Sequence, residues 1–226
     1  MTRTPSLTLD DQRAEFARNR FLSMPVAGTI AWSVIGVCGA FLPVDLAAWV
    51  LFIGTGSIFG IGLLVAHWLG EDLLGKTRPI NAFDSLFFHT IVMAWLVFAI
   101  AIPFFMIEPT SLPLSIGILA GLMWVPFSWM IRHWIGLFHG IARTVLVVAA
   151  WYLFPGHRFV IIPAVIVAIY LVTIYVLLTR TRQWPGEARS DRVLMYVGDS
   201  RGHGQGPAWI ADARGGVLGV RGHLRV

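Results

Sequence analysis

The chain has 226 residues, of which 57% are hydrophobic and only 13% are charged. Soluble domains carry about 25% charged residues, so this composition excludes an ordinary soluble globular protein and indicates a chain solvated by lipid. The net charge of +5 comes from 17 basic and 12 acidic residues, and the bases lie beside apolar runs, which is typical of membrane topology determinants rather than of nucleic-acid binding.

The N-terminal segment 1–22 is polar and arginine-rich, and we predict a cytoplasmic arm that contains a short interfacial helix. Thr8 and Asp11 are expected to form a capping box at the start of this helix. Its expected apolar contacts are Leu9, Phe16 and Phe21. The apolar run 24–42 is longer than the h-region of a signal peptide, and no A-x-A cleavage site follows it, so we interpret it as an uncleaved first span.

Apolar runs between residues 23 and 182 predict an all-α membrane domain, a polytopic transmembrane helical bundle of about six spans. An uncharged run of about 20 apolar residues is long enough to cross a hydrocarbon core of ~30 Å. The predicted spans are residues 24–42, 46–69, 86–107, 112–131, 139–154 and 159–179. The fifth span is the shortest, and Arg143 lies in its first turns, so we expect either that this span thins the bilayer locally or that Arg143 snorkels to the membrane interface. Cys38, the only cysteine, excludes an internal disulfide and a cysteine-based metal cluster.

Lys and Arg residues are distributed unequally between the two ends of the predicted spans. Ten of them lie on one side: at the N-terminus, in the 70–85 connection, at Arg132 and Arg143, and after the sixth span; only Arg158 lies on the other side. Because cytoplasmic loops of membrane proteins carry an excess of positive charge, both termini are predicted to be cytoplasmic. The expected location is therefore the cytoplasmic (inner) membrane, with the lipid bilayer as partner.

Two pairs of glycines, each four residues apart, predict close helix packing. Gly56 and Gly60 lie in the second predicted span, and Gly117 and Gly121 lie in the fourth. Such small residues let helix backbones approach closely, and we favour packing inside one bundle over contact with a second copy or another membrane protein. Pro126 should kink the fourth span near its cytoplasmic end.

The C-terminal segment 183–226 has a different composition, rich in Gly and Arg, with one short apolar stretch. It cannot bury enough apolar surface to offset the entropy of ordering, so we expect a mostly disordered cytoplasmic tail. It lacks a dense basic run interleaved with aromatic residues, and we expect no nucleic-acid partner.

The stretch Gly70–Thr77 matches the P-loop formula G-x-x-x-x-G-K-[ST] of nucleotide-binding proteins. In those proteins a strand precedes the loop and a helix begins at its end, so that backbone amides surround the phosphates. Here an apolar helix precedes the loop and an Arg-Pro pair follows it, while Glu71 and Asp72 inside it would repel phosphate. We therefore interpret the stretch as a helix-capping loop and expect no bound nucleotide.

A group of polar side chains is predicted at the cytoplasmic ends of the second to fifth spans. Its members are His67, Glu71, Asp72, Asp84, His89, His133 and His139. Two histidines and a carboxylate can hold Zn²⁺ with one open position, which makes His67, Glu71 and His89 candidate ligands of a metal-dependent membrane hydrolase. Because no H-E-x-x-H spacing fixes them, we favour the alternative of interfacial histidines with their tips in water.

Function is constrained by an absence, since no Asp, Glu or Lys lies in the middle third of any predicted span. Ion-coupled transporters generally place an ionisable group there. The favoured hypothesis is therefore a structural or accessory membrane protein, with no catalytic residue or cofactor that the sequence identifies. The alternative is a small facilitator or channel for a neutral or weakly polar solute, gated near Pro126. Its pore would be lined by hydroxyl groups drawn from Thr29, Ser33, Thr55, Ser57, Thr90, Ser115, Tyr170 and Thr173.

Two apolar motifs carry a resemblance to a known family. Phe21-Leu-Ser-Met-Pro-Val-Ala-Gly28 opens the first predicted span, and Trp124-Val-Pro-Phe-Ser-Trp129 ends the fourth. Over residues 15–180 the chain resembles a family of small bacterial multi-pass membrane proteins of unknown function. The resemblance implies a helical membrane protein and supplies no catalytic residues.

Overall fold

The computed structural model describes residues 8–73 and 81–180. The chain divides into two units, Met1–Gln183 and Trp184–Val226, and all described residues belong to the first. The tail predicted over 183–226 and the second half of the Gly70–Thr77 pattern lie outside the described residues. Within the described ranges the chain forms helices and no strands, which confirms the all-α fold class.

The N-terminal arm contains the helix α1, Leu9–Ala17. Its predicted cap is confirmed, because the Thr8 hydroxyl accepts a hydrogen bond from the Asp11 backbone N–H at 3.2 Å. Phe16 is buried and its ring lies 4.7 Å from that of Phe21, centroid to centroid. Leu9, in contrast, is 63% exposed, so it is not buried against the described residues. The predicted apolar contact at Leu9 stays a prediction.

The remaining helices follow the predicted spans. They are α2 (Ser23–Phe41), α3 (Val44–Gly56), α4 (Ile58–Leu69), α5 (Ala82–Leu96), α6 (Phe98–Ile107), α7 (Leu112–Leu119), α8 (Trp124–Met130), α9 (Ile135–Leu153) and α10 (Arg158–Thr179). Within the described ranges, five helical segments are long and apolar enough to cross a membrane, and six if the bent pair α3–α4 counts as one span. The fifth predicted span, set at 139–154, instead begins at Ile135 and has 19 residues. It is not short, because apolar residues before His139 extend the helix.

Helical geometry is interrupted inside three of these segments within the described chain. The axes of α3 and α4 differ by 47° across Ser57. The helices α5 and α6 separate at Val97. A 3-10 stretch, Ala120–Met123, separates α7 from α8. Pro126, which lies just after this stretch, has no backbone N–H and so leaves one carbonyl of the preceding turn without its helical donor. The 3-10 stretch beside Pro126 departs from α-helical geometry, whereas the kink of this span at Pro126 stays a prediction.

Contacts of α1 gather several helix ends at one end of the bundle, which we call the α1 end. The amide of Asn81, just before α5, donates to the Gln12 carbonyl at 2.6 Å. The Arg13 guanidinium donates to the carbonyl of Met130, at the end of α8, at 3.3 Å. Arg180, after α10, donates to the Ala17 carbonyl at 2.6 Å. The described chain therefore begins and ends at the same end of its helical bundle.

The two predicted glycine pairs differ in their surroundings. A Cβ at Gly117 would lie 3.4 Å from Ile166, on α10, and a Cβ at Gly121 would lie 2.7 Å from Cδ of Arg143, on α9. At Gly56 and Gly60 no heavy atom of the described residues lies within 4 Å of such a Cβ. Gly117 and Gly121 thus pack against other helices inside the bundle. Packing at Gly56 and Gly60 stays a prediction that requires another molecule.

Candidate functional site

A partly open cavity of about 60 Å³ lies between the helices of the bundle. The three interrupted segments all contribute to it through residues beside their breaks: α3–α4, α5–α6 and the α7–α8 stretch. The lining residues are Met24, Trp32, Thr55, Ile58, Phe59, Ile91, Ala94, Trp95, Phe98, Ile116, Ala120, Met123, Trp124, Arg143 and Tyr170. One water needs about 10–15 Å³ of such space, so the cavity has room for a few waters or a solute of a few non-hydrogen atoms.

Arg143 is the charged residue of this cavity. It is 1% exposed and lies near the middle of α9, which runs from Ile135 to Leu153. The Nε–H donates to the Gly117 carbonyl, and Nη1 donates to the Tyr170 hydroxyl at 3.2 Å. The predicted snorkelling of Arg143 is therefore wrong, as is its use as a cytoplasmic topology determinant. Because α9 begins four residues earlier than expected, Arg143 lies deep in the bundle and not near its end.

Trp32 lies beside Arg143 and is fully buried on α2. The guanidinium carbon of Arg143 lies 5.3 Å from the centroid of the Trp32 ring and 5.5 Å from that of Tyr170. These ring faces stabilise the cation by cation–π attraction. Within the described chain, however, Nη2 of Arg143 and Nε1 of Trp32 have no hydrogen-bond partner. Two buried groups of the same cavity thus retain free N–H donors.

His139 lies one turn before Arg143 on the same face of α9 and is fully buried. Its ring stacks on Trp124 at 4.3 Å between centroids, and Nδ1 lies 2.8 Å from the Thr173 hydroxyl. Since that hydroxyl donates its own hydrogen to the Ile169 carbonyl, Nδ1 of His139 is the donor in this pair. The prediction of a solvated interfacial histidine is wrong for His139, because this position faces the neighbouring helices.

The hydroxyl groups expected to line a pore are mostly used inside their own helices. Of that set, Thr55 and Tyr170 line the cavity. Ser57 and Thr90 do not; their hydroxyls donate to the carbonyls of Gly54 and Phe87 at 2.9 and 2.7 Å. Such bonds to the preceding turn are ordinary for hydroxyl side chains in apolar helices. The sequence analysis thus identified two of the lining residues but missed the cation, Arg143.

The candidate metal ligands have other surroundings. His67 and His89 are exposed, and Nδ1 of His89 donates to the Ser85 carbonyl at 2.7 Å. The Glu71 carboxylate accepts hydrogen bonds from the backbone N–H groups of Leu22 and Ser23. Across the described ranges, no group of three or more His, Cys, Asp or Glu side chains is placed to hold a metal ion.

The glycine that begins the P-loop-like pattern ends a helix. Gly70 has φ of 66°, a left-handed conformation that glycine adopts without steric cost. The Glu71 backbone N–H then bonds to the Ala66 carbonyl at 2.8 Å, as in the Schellman type of helix end. Over its described part, Gly70–Leu73, the stretch is a helix-capping loop, as the sequence predicts.

Comparison with known proteins gives one positive result. The model of a family of unknown function, DUF7010, matches residues 9–180. No curated protein and no solved structure matches the chain. The match confirms the resemblance to a family of unknown function and supplies no activity, so the function must be inferred from the geometry.

Proposed function

Since the chain belongs to the DUF7010 family, whose function is unknown, we propose from its geometry that it is a facilitator for a small polar solute. The solute passes through the bundle by way of the cavity at Arg143. This is the facilitator hypothesis of the sequence analysis, but the residues that line the path differ from the hydroxyl groups expected there. The proposal includes six membrane crossings, in the cytoplasmic membrane, with both termini inside the cell.

The observation that carries the proposal is that all three helix breaks in the described chain lie at the cavity. Helix breaks expose backbone groups, which the hydrocarbon core of a membrane cannot satisfy. Irregular backbone at that depth is therefore expected only where it is covered by protein or lines a hydrated cavity. Transporters use such discontinuous helices to build solute sites near the bilayer midplane. A packed scaffold has no need of three interruptions that border one cavity.

Arg143 supports the same proposal. Removing one ion from water has an effective cost of roughly several kcal/mol even after relaxation, and ionisable groups inside membrane bundles usually serve a function. The structural or accessory role favoured by the sequence depended on the absence of ionisable groups at depth. Arg143 removes that premise, because it lies near the middle of α9 and lines the cavity.

The number of membrane crossings follows from which helices begin or finish at the α1 end. Glu71, after α4, caps the first residues of α2, so the α3–α4 pair returns to the end at which α2 begins. Arg180 contacts Ala17, so the last helix also finishes there. An even number of crossings is required, and counting α3–α4 as one bent span gives six. The arginines at this end favour the cytoplasmic side.

Osmotic shrinkage and reswelling of proteoliposomes tests the proposal. Stopped-flow light scattering would follow entry of urea, of formamide and, with valinomycin to balance charge, of potassium formate. At least one of these probes should enter much faster than in protein-free liposomes. A bulky side chain at a lining position, Ala94→Phe, should return the rate towards the protein-free value.

The matched control is Val145→Phe, on α9 two residues after Arg143. Val145 is 58% exposed and faces away from the bundle, so this substitution should leave the rate unchanged. Entry at the protein-free rate for every probe would overturn the proposed function, as would equal inhibition by the two substitutions.

A further inference from the structure

We propose that the cavity is a binding site for a small monovalent anion of about three or four non-hydrogen atoms, held by Arg143 and Trp32. This inference deepens the proposed function and rests on it for the passage of the solute, although binding can be tested by itself. It replaces the neutral or weakly polar solute of the alternative hypothesis drawn from the sequence.

The charge of the cavity supports an anion. Arg143 is the only charged side chain among the described residues that line it, and no Asp or Glu of the described chain forms an ion pair with it. Its partners are a carbonyl and a hydroxyl, both uncharged. A buried cation without a counter-charge attracts an anion strongly, because the low dielectric of the interior barely screens it.

The free donors support the same ligand. Nη2 of Arg143 and Nε1 of Trp32 both belong to buried, cavity-lining residues and have no acceptor within the described residues. The guanidinium and the indole can only donate hydrogen bonds, so their partner must be an acceptor. Hydrogen bonds from an ionised donor to an anion are stronger than those between neutral groups. Carboxylate and nitrate oxygens match these donors.

The dimensions of the cavity limit the ligand. A volume of about 60 Å³ and a mostly apolar, aromatic wall leave room for formate, nitrate or acetate. A sugar acid, a nucleotide or a lipid headgroup is larger than this volume. The Gly121 backbone packs on the aliphatic part of Arg143, which fixes the base of the side chain.

Ligand-observed NMR on the full-length protein in detergent tests the proposal with ¹³C-formate and its neutral counterpart, ¹³C-formamide. Potassium gluconate, whose anion is too large for the cavity, keeps the ionic strength constant in place of chloride. Formate should bind saturably and formamide at least about tenfold more weakly, since it lacks the charge. Nitrate should displace formate.

Two substitutions locate the site. Trp32→Phe keeps the aromatic face and removes the indole N–H, so formate affinity should fall roughly 10- to 100-fold, which corresponds to one hydrogen bond to a charged group. Arg143→Gln should abolish binding. The control Trp49→Phe changes an exposed tryptophan outside the cavity and should leave the affinity unchanged. Circular dichroism and gel filtration would verify that each variant is folded. If Arg143→Gln does not fold, the formate affinity of Trp32→Phe still tests the site.

The outcomes separate this proposal from the proposed function. Equal binding of formate and formamide, or formate binding that Trp32→Phe leaves unchanged, overturns the anion site. Rapid entry of urea or formamide into proteoliposomes without formate binding also overturns it and leaves the facilitator intact. Formate binding with no transport supports the anion site and overturns the facilitator.

Discussion

Gly121 lies against the aliphatic part of Arg143, so closely that a Cβ at position 121 would approach Cδ of Arg143 to 2.7 Å. We predict that Gly121→Ala destabilises the bundle by about 1–3 kcal/mol, the usual cost of overpacking an interior position. The added methyl must displace a buried side chain whose Nε is anchored on the Gly117 carbonyl. Unfolding in mixed micelles, followed by circular dichroism, measures the change.

The matched control is Gly60→Ala, in another helix, where no heavy atom of the described chain lies within 4 Å of the new methyl group. Its expected effect is neutral or slightly stabilising, because alanine has the higher helix propensity. Similar losses for the two substitutions would contradict the contact between Gly121 and Arg143.

Glu71 caps a helix that lies 48 residues earlier in the chain. The backbone N–H groups of Leu22 and Ser23 donate to its two carboxylate oxygens at 2.9 and 3.1 Å. Glu71→Ala removes both acceptors at the start of α2, and we predict a loss of about 1–2 kcal/mol, as for other N-cap deletions. Thermal unfolding in detergent measures it. His67→Ala, an exposed neighbour on α4, should change stability by less than about 0.5 kcal/mol.

Zinc added during the same unfolding experiment examines the alternative role of Glu71. If the residue acts as a cap, excess Zn²⁺ leaves the unfolding temperature of the wild type unchanged. A shift that both Glu71→Ala and His67→Ala remove would instead favour the metal site predicted from the sequence.

Arg13 joins α1 to the end of α8. Its guanidinium carbon lies 4.0 Å from the centroid of the Trp129 ring, and its nitrogens donate to the carbonyls of Trp129 and Met130. We predict that Arg13→Gln costs about 1–2 kcal/mol, from the lost cation–π contact and hydrogen bonds. It should also speed proteolysis within α1.

The ion pair between Arg132 and Asp10 is the control for this prediction. Its N–O distance is 2.7 Å, but the two side chains are 65% and 81% exposed. Exposed pairs contribute about 0–1 kcal/mol because water and salt screen them. Arg132→Gln should therefore barely change the free energy of unfolding. A loss of stability as large as that of Arg13→Gln would contradict the view that the contacts of Arg13 contribute more than this ion pair.

Glu108, in the connection after α6, provides a pH-dependent prediction. The side-chain and backbone hydrogen bonds from Thr110 lower the pKa of Glu108, and Arg158 adds a smaller attraction. These bonds therefore stabilise the fold above the ordinary pKa of glutamate, and the contribution is lost as the pH falls through the lowered pKa. Thr110→Val should raise the pKa of Glu108, as measured by ¹³C NMR of labelled glutamate. An unchanged pKa would contradict the role of the hydroxyl.

Hydropathy was sufficient to predict the helical segments, because a long uncharged run has few alternatives to a membrane helix. It could not predict the depth of Arg143, since a start at residue 139 placed this residue near a helix end. The spacing contained the missing signal. Gly136, His139, Gly140 and Arg143 recur three and four residues apart, so they share one face of α9, and that face packs inside the bundle.

The glycines with the closest contacts were also missed, because their importance depends on the facing residue. A Cβ at Gly28 would overlap the Tyr170 ring, and one at Gly136 would overlap the Trp124 carbonyl. Neither position belongs to a pair identified by the four-residue spacing. Conversely, Gly56 and Gly60 satisfy the spacing, but a Cβ added at either would meet no other helix of the described chain. Spacing alone cannot tell a packed face from an open one.

The central claim is that a hydrated cavity reaches Arg143 in the middle of the bundle. Cysteine accessibility tests it in full-length protein in liposomes, with Cys38 replaced by Ala. The cavity-lining position is probed with Ala120→Cys, and the control Val145→Cys lies on the outer face of α9 close to Arg143. Thiols react as thiolates, which form in water and not in hydrocarbon. The account predicts that a small methanethiosulfonate reagent modifies Cys at position 120 much faster than at 145, and that formate slows only the former; equal, slow modification of both would contradict it.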